Sequence, residues 1–314
     1  MSLVPKEKLR KRRLLVILLL VALVAFGFRL LIHAESAGSA LTYVALPFCV
    51  AMVLLFFTTH SDSKKWYLRY WNVLRDSMIV MLSSSIVLFE GFICVLMFIP
   101  IYVLVVTITF VCIAISEKLS KNPANRPLVF VLPALILISS MEGTTDELSA
   151  QTSNIVEVSR DIDLSVTQIR ANLTAPRQLE SPSGGFMSLF PPPVLFDAPA
   201  LNEGDIHTVT YRYHRWLFAN THEGSLTVRL KTVRDLFIET EVLEDTSYIA
   251  TYLKLHGTRM LFEPIDQDRT RVKLVIGFDR LLHPAWYFQP LERYGVKVMG
   301  ESILTQLVAG HHGS

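Results

Sequence analysis

The sequence predicts two parts: a multi-span α-helical membrane domain over residues 1–143, then, over 154–309, an α+β domain with a curved antiparallel sheet of about six to seven strands around a long C-terminal helix. Three observations predict it. The chain of 314 residues is 51% hydrophobic and 18% charged, with a mean hydropathy of +0.39, whereas soluble domains hold about 45–50% apolar and about 25% charged residues. The apolar residues are clumped before Gly143. With Glu142 counted in the second part, the first carries 14 Lys/Arg against 6 Asp/Glu, and the remainder 16 against 22. After that point the pattern changes to short runs alternating with period two. These features exclude a purely soluble enzyme, a disordered chain and a disulfide-stapled scaffold. The formal charge of +2 sums two opposite halves, so it gives no argument for a nucleic-acid partner.

The membrane part is read span by span. About 20 apolar residues cross a hydrocarbon core roughly 30 Å thick. Residues 14–32 qualify as an uncleaved first span. Six Lys/Arg precede it, its length exceeds a signal-peptide core, and the His-Ala-Glu-Ser stretch after it is a poor cleavage site. Residues 41–58 form the second span. The segment 59–76 mixes Lys64, Lys65, Arg69 and Arg75 with Trp66, Tyr67, Tyr70 and Trp71, the composition of a cytoplasmic headgroup-level segment. Residues 77–116 are apolar throughout except at Glu90-Gly91 and Ile99-Pro100. Both flanks are basic, which requires an even number of crossings and reads as a hairpin of spans 77–96 and 97–116. The last apolar piece, 127–141, rises only about 22 Å as a helix and holds Pro133. No Lys or Arg follows until Arg160, which favours five spans, a cytoplasmic N-terminus and an extracytoplasmic second domain. Glu90 is the carboxylate well inside a span. It is either a proton, ion or headgroup contact or, more simply, the mark of the hairpin turn or a partner of Arg29.

Residues 144–153 are polar and Thr/Ser-rich, a linker. Ile155–Ile162 has strand character, and Ser165 can cap a short helix Val166–Leu173 that ends before Pro176. Residues 177–202 are rich in Pro, Ser and Gly yet hold several aromatic and aliphatic side chains. Strands are predicted at Asp205–Leu217, Gly224–Val233, Leu236–Leu243, Tyr248–Leu255, Arg259–Glu263 and Thr270–Asp279, with a turn at His256-Gly257-Thr258. Alternation in short runs separated by turns describes an antiparallel meander with one wet face. A helix from Pro290 to Val308 closes the chain. Val296, Met299, Ile303 and Leu307 form one apolar stripe, flanked by Leu291, Gly295 and Val298, which must lie on the sheet. Residues 310–314 form a tail.

The order of elements, the segment Ile162–Pro176 after a first strand, the Glu263-Pro to Asp268-Arg-Thr-Arg-Val hairpin and the closing Pro284–Leu307 segment resemble the START-like superfamily. This is the helix-grip or SRPBCC fold of polyketide cyclase/dehydrase-type and lipid-transfer proteins. The resemblance covers residues 154–309. The Glu90-Gly-Phe-Ile-Cys stretch and Leu132-Pro look like anchors that precede such domains in bacterial membrane proteins, which implies an inner (plasma) membrane location. The resemblance implies an apolar cavity between sheet and helix for a lipid or other hydrophobic small molecule. Tyr211, Tyr213 and Tyr252 would line its wall and orient a polar end. Met299 and Ile303 would face it, with Gly295 and Gly300 leaving room. The alternative is that all are ordinary core residues.

No catalytic constellation is marked. None of the histidines falls in a metal-ligand spacing, no nucleophile elbow, dinucleotide fingerprint or P-loop is present, and the three cysteines, Cys49, Cys94 and Cys112, lie in apolar runs. No cofactor or metal is expected. Glu239, Glu241, Glu244 and Asp245 read as a solvated strand face rather than paired acid/base groups. The expected function is a membrane-anchored module binding a hydrophobic molecule or lipid. The alternatives are a cyclase/hydratase-type enzyme on the same fold and a structural or signalling partner of another membrane protein.

Overall fold

The computed structural model describes residues 6–33, 38–58, 66–88, 92–119, 135–136, 138–174, 177–178, 193–215 and 220–308. The chain divides into two compact units, Met1–Ala150 and Gln151–Ser314.

In the first unit, α1 (Lys6–His33), a π-helical turn (Leu41–Ala45) running into α2 (Leu46–Thr58), α3 (Trp66–Leu88) and α4 (Phe92–Leu119) pack together. Two apolar clusters join them, one around Val16, Leu20, Leu54 and Val80, the other around Leu55, Val73, Tyr102 and Phe110. Among the described residues one helical stretch, Met97–Ile115, is long and apolar enough to cross a membrane; Leu15–Val24 and Leu41–Leu55 are apolar but shorter. The predicted spans 77–96 and 97–116 are corrected. α3 begins at Trp66, so residues 66–76 of the basic-aromatic segment form its first turns, while 59–65 lie outside the described residues, and α4 runs without a break through Pro100. The division between the two helices falls between Leu88 and Phe92. Glu90 and most of 127–141 lie outside the described residues.

Polarity in this unit is distributed in an unusual way. Ser77 and Thr109 are 0% exposed and Asp76 1%, while Leu15 is 66% and Phe26 63% exposed. The buried hydroxyls bond across and along helices. The Tyr70 hydroxyl meets Thr107 Oγ1 at 2.9 Å, Ser77 Oγ meets the Tyr102 hydroxyl at 2.8 Å, and Thr109 donates to the Val105 carbonyl at 2.8 Å.

The second unit is one eight-stranded antiparallel sheet in the order β1-β8-β7-β6-β5-β4-β3-β2. The strands are β1 (Ser153–Ile162), β2 (Arg177–Gln178), β3 (Pro193–Asp197), β4 (Ile206–Arg215), β5 (Asn220–Arg234), β6 (Phe237–Asp245), β7 (Leu253–Pro264) and β8 (Thr270–Arg280). Alternation in the sequence becomes alternation in burial: along β8, Val272, Leu274, Ile276 and Phe278 are buried while Arg271 is exposed and Lys273 and Val275 only half-buried. Val156 pairs with Ile276 and Val158 with Leu274 on β1. Between β1 and β2 in the chain a capping box starts α5 (Val166–Asn172). Ser165 Oγ accepts from the Gln168 backbone, and the Gln168 side chain accepts from the Ser165 N–H. Phe196 of β3 shares one core with Val156 and Val158 of β1, together with Ile169 of α5. Six strand spacings of about 4.8 Å would hold β1 and β3 roughly 29 Å apart in a flat sheet. One common core therefore requires the sheet to curl, and the C-terminal helix α6 (Ala285–Ile303) packs on β1 and β8. This is a helix-grip arrangement.

Three readings are corrected. His256-Gly257-Thr258 is not a turn: β7 continues through it with a bulge between Leu255 and Gly257. A Cβ on Gly257 would lie 2.1 Å from the Thr240 carbonyl oxygen, so the glycine marks close approach of β6 rather than a reversal. Tyr248–Thr251 is a 3₁₀ turn, with the strand starting only at Leu253. The last helix begins at Ala285, five residues before Pro290, and takes that proline inside it.

Candidate functional site

The sheet-facing stripe of α6 has a spacing of four: Phe288, Glu292, Val296, Gly300 and, just beyond the helix, Leu304 are all buried. This stripe is rotated from the predicted one. Val296 belongs to both, whereas Met299 and Gly295 are half-buried on its flanks and Ile303 packs against the core from its edge. At Gly300 the helix lies hard on the sheet. A Cβ there would stand 2.9 Å from Val158 Cγ2 and 3.1 Å from Ile276 Cδ1. The glycine permits contact, and leaves no room at that level.

About two turns toward the helix start, the stripe carries a carboxylate. Glu292 is 5% exposed, and neither of its oxygens meets a well-aligned hydrogen-bond donor. Burial pushes its carboxyl up to about 8 from an ordinary 4.5, against the pull of the Arg280 guanidinium and the Leu282 backbone N–H. Arg280, the inward-facing last residue of β8, is 1% exposed. Its Nη1 donates to the Leu282 carbonyl and meets His283 Nδ1 at 3.1 Å. A guanidinium has only donors, so Nδ1 accepts, and the buried His283 ring is neutral with its proton on Nε2. Beside this group Gln289 Nε2 donates to Asn154 Oδ1 at 2.9 Å, and Asn154 Nδ2 to the Thr152 carbonyl at 2.7 Å, tying α6 to β1. A fixed cation, a neutral imidazole and an unsatisfied carboxyl thus share the junction of β8 and α6.

The predicted tyrosines lie in another part of the sheet. Tyr211 of β4 is buried, and burial together with the Asp245 charge pushes its hydroxyl up. Tyr252 is buried with its ring edge-on to Tyr248 at 5.3 Å, and its carbonyl accepts from the Leu281 N–H. The Tyr213 side chain lies outside the described residues; its backbone pairs with His222. β6 and β7 pair only from Phe237 to Glu239, and beyond that point a cleft of about 370 Å³ opens, lined by Val242, Leu243, Asp245, Lys254, His256 and Leu281. Asp245 Oδ1 accepts from the Ser247 N–H, and His256 faces Asp279 at 2.9 Å. The carboxylates read as a solvated face are ion-paired across strands, Glu239 with Arg259 and Lys231 and Glu241 with Arg229. The structure therefore brings Tyr211 and Tyr252 toward the β6–β7 end and places Met299 and Ile303 at the β1–β8 end. Sequence reasoning missed Arg280, His283 and Glu292. The signal that finds them is a carboxylate at one position of an otherwise apolar or small i, i+4 series.

Over about half its length the chain resembles three solved structures. Norcoclaurine synthase from Thalictrum flavum, in complex with dopamine and hydroxybenzaldehyde, matches at 9% identity over 52% of this chain and 91% of that one, with a TM-score of 0.31. The Zhui aromatase/cyclase from Streptomyces sp. R1128 matches at 17% over 50% and 98%, with a TM-score of 0.28. Protein Ms6760 from Mycobacterium smegmatis matches at 17% over 50% and 93%, with a TM-score of 0.30. No protein-family model and no curated protein matches the chain. At these values the likenesses assign this chain no activity.

Proposed function

We propose that the chain is a membrane-anchored binding module whose helix-grip domain holds a hydrophobic small molecule or lipid between the curled sheet and α6. The observation that carries the ligand reading is Glu292. A carboxyl sealed into a helix–sheet interface without a well-aligned donor is an exception to the rule that buried polar groups are satisfied, and a bound molecule supplies what is missing. The anchor is supported by the polarity of the helical unit. Exposed Leu15, Leu18, Leu19, Leu23, Phe26 and Leu30 follow helical spacing on α1, as do Leu104, Ile108, Val111 and Ile115 on α4. Soluble proteins do not expose such stripes, whereas bundles in lipid turn small and hydroxyl side chains inward. The reading extends to a bacterial inner membrane with several crossings and an extracytoplasmic second domain. The full chain, purified from membranes and extracted with organic solvent, is expected to release one apolar compound per chain by mass spectrometry. An extract that mirrors the bulk lipid composition contradicts the reading.

The cyclase- or hydratase-type reading is favoured by the same carboxyl. A buried carboxyl with a pKa of about 8 has the protonation range of a general acid or base.

A further inference from the structure

We infer that the outer face of α6 docks on an anionic lipid bilayer, with Trp286 and Tyr294 entering the headgroup layer and Arg293 and Lys297 meeting lipid phosphates. The inference rests on the membrane-anchored reading and adds a surface to it. Opposite its buried stripe, α6 exposes Trp286, Pro290, Arg293, Tyr294 and Lys297 along one side. Trp286 is 59% and Tyr294 53% exposed, although folded domains bury most of a tryptophan's surface. Amphipathic rings beside Lys and Arg settle at the headgroup level of a bilayer. The charge of the face points the same way. The acids of α6 are Glu292, which is buried, and Glu301, which lies 3.9 Å from Lys297 at the far end. The exposed side is therefore cationic from Trp286 to Lys297, within a region, residues 140–314, that holds 16 Lys/Arg against 22 Asp/Glu. An anionic surface attracts this side of the domain and repels much of the rest. The path of the chain selects a bilayer over a soluble partner. The second unit begins at Gln151. The Thr152 carbonyl accepts from the Arg280 N–H at 2.9 Å and from Asn154 Nδ2 at 2.7 Å, and Gln289 of α6 donates to Asn154. The first turns of α6 are thus fastened where the chain enters the domain, and a tether keeps the surface that holds it at high effective concentration.

The test places a nitrobenzoxadiazole label at Trp286→Cys, Tyr294→Cys or Leu236→Cys of the full chain, in a background without the native cysteines. Each is reconstituted in vesicles of phosphatidylcholine and phosphatidylglycerol that contain a lipid spin-labelled near its headgroup. Leu236 serves as the comparison: it is exposed in the β5–β6 turn, and its carbonyl accepts from the Phe262 N–H at the end of the sheet where β8 starts, away from the start of α6. Labels at 286 and 294 are expected to emit at shorter wavelength than the label at 236 and to be quenched by the spin-labelled lipid, with no quenching at 236. Arg293→Glu combined with Lys297→Glu, or vesicles of phosphatidylcholine alone, is expected to remove most of that quenching. Quenching that survives both changes overturns the anionic-lipid assignment. A shift to shorter wavelength at 286 without lipid quenching gives the face to a protein and overturns the bilayer as its occupant. Equal quenching at all three positions, or none at 286 and 294, in chains that stay with the vesicles through an alkaline wash overturns the docking face and leaves the anchor standing. Loss of the chain from the vesicles in that wash overturns the anchored reading itself.

Discussion

Glu292 illustrates what a single residue does to the energetics of this fold. Its carboxyl titrates at about 8 when folded against 4.5 for the ordinary group. Below pH 4.5 both folded and unfolded chains hold the proton and burial carries no electrostatic penalty. As pH rises from there the unfolded chain ionises first, and the penalty grows until it is complete above about pH 8, reaching roughly 5 kcal/mol at most. Glu292→Gln is therefore expected to raise the thermal midpoint of the full chain, and to raise it more at pH 8 than at pH 5. An equal gain at both values contradicts the assignment of a sealed, unsatisfied carboxyl. This residue was not legible in the sequence, because a helical Glu near Arg293 and Lys297 reads as surface. Starting the helix at Pro290 also hid Phe288, the member of the buried series that reveals Glu292 as its next step.

At the scale of elements, the C-terminal end of α6 lies in close contact with β1 and β8, and Arg160 of β1 donates to Thr305 just beyond it. Gly300 makes that contact possible. Gly300→Ala gains about 1 kcal/mol of helix propensity but must push Val158 and Ile276 aside, at about 1–3 kcal/mol for an overpacked core. The expected result is a lower thermal midpoint, and a still lower one for Gly300→Val. A midpoint raised by alanine contradicts the tight seat. The strands themselves were readable, because alternation in β8 and β1 maps directly onto the two faces of a sheet. What failed were the positions where glycine and proline were taken at face value. Gly257 serves close approach within β7, Pro100 sits at an exposed position inside α4, and Pro290 lies inside α6, each overridden by the packing of the element around it.

For the whole molecule the decisive property is which side chains each unit turns outward. The second unit buries its aliphatic residues and covers strand faces with cross-strand ion pairs such as Arg271–Asp161 and Arg229–Glu241. The first unit buries Asp76, Ser77, Ser84 and Thr109 and exposes leucines. The sequence made this contrast visible as a change in composition and charge sign near Gly143, but hydropathy alone could not place the helix boundaries inside the 77–116 run. Spin labels at Leu19→Cys and Ile108→Cys, in a background without the native cysteines and reconstituted in liposomes, are expected to collide with oxygen more often than with a water-soluble nickel chelate. The opposite order at both positions contradicts lipid contact.

The most direct measurement is a crystal structure of the full chain grown in a lipidic phase without added ligand, read at the Glu292 carboxyl. The account predicts elongated density between α6 and the inner face of the sheet, with one polar atom within hydrogen-bond distance of Glu292. Side chains of the protein filling that space, with Glu292 bonded to them alone, would contradict it.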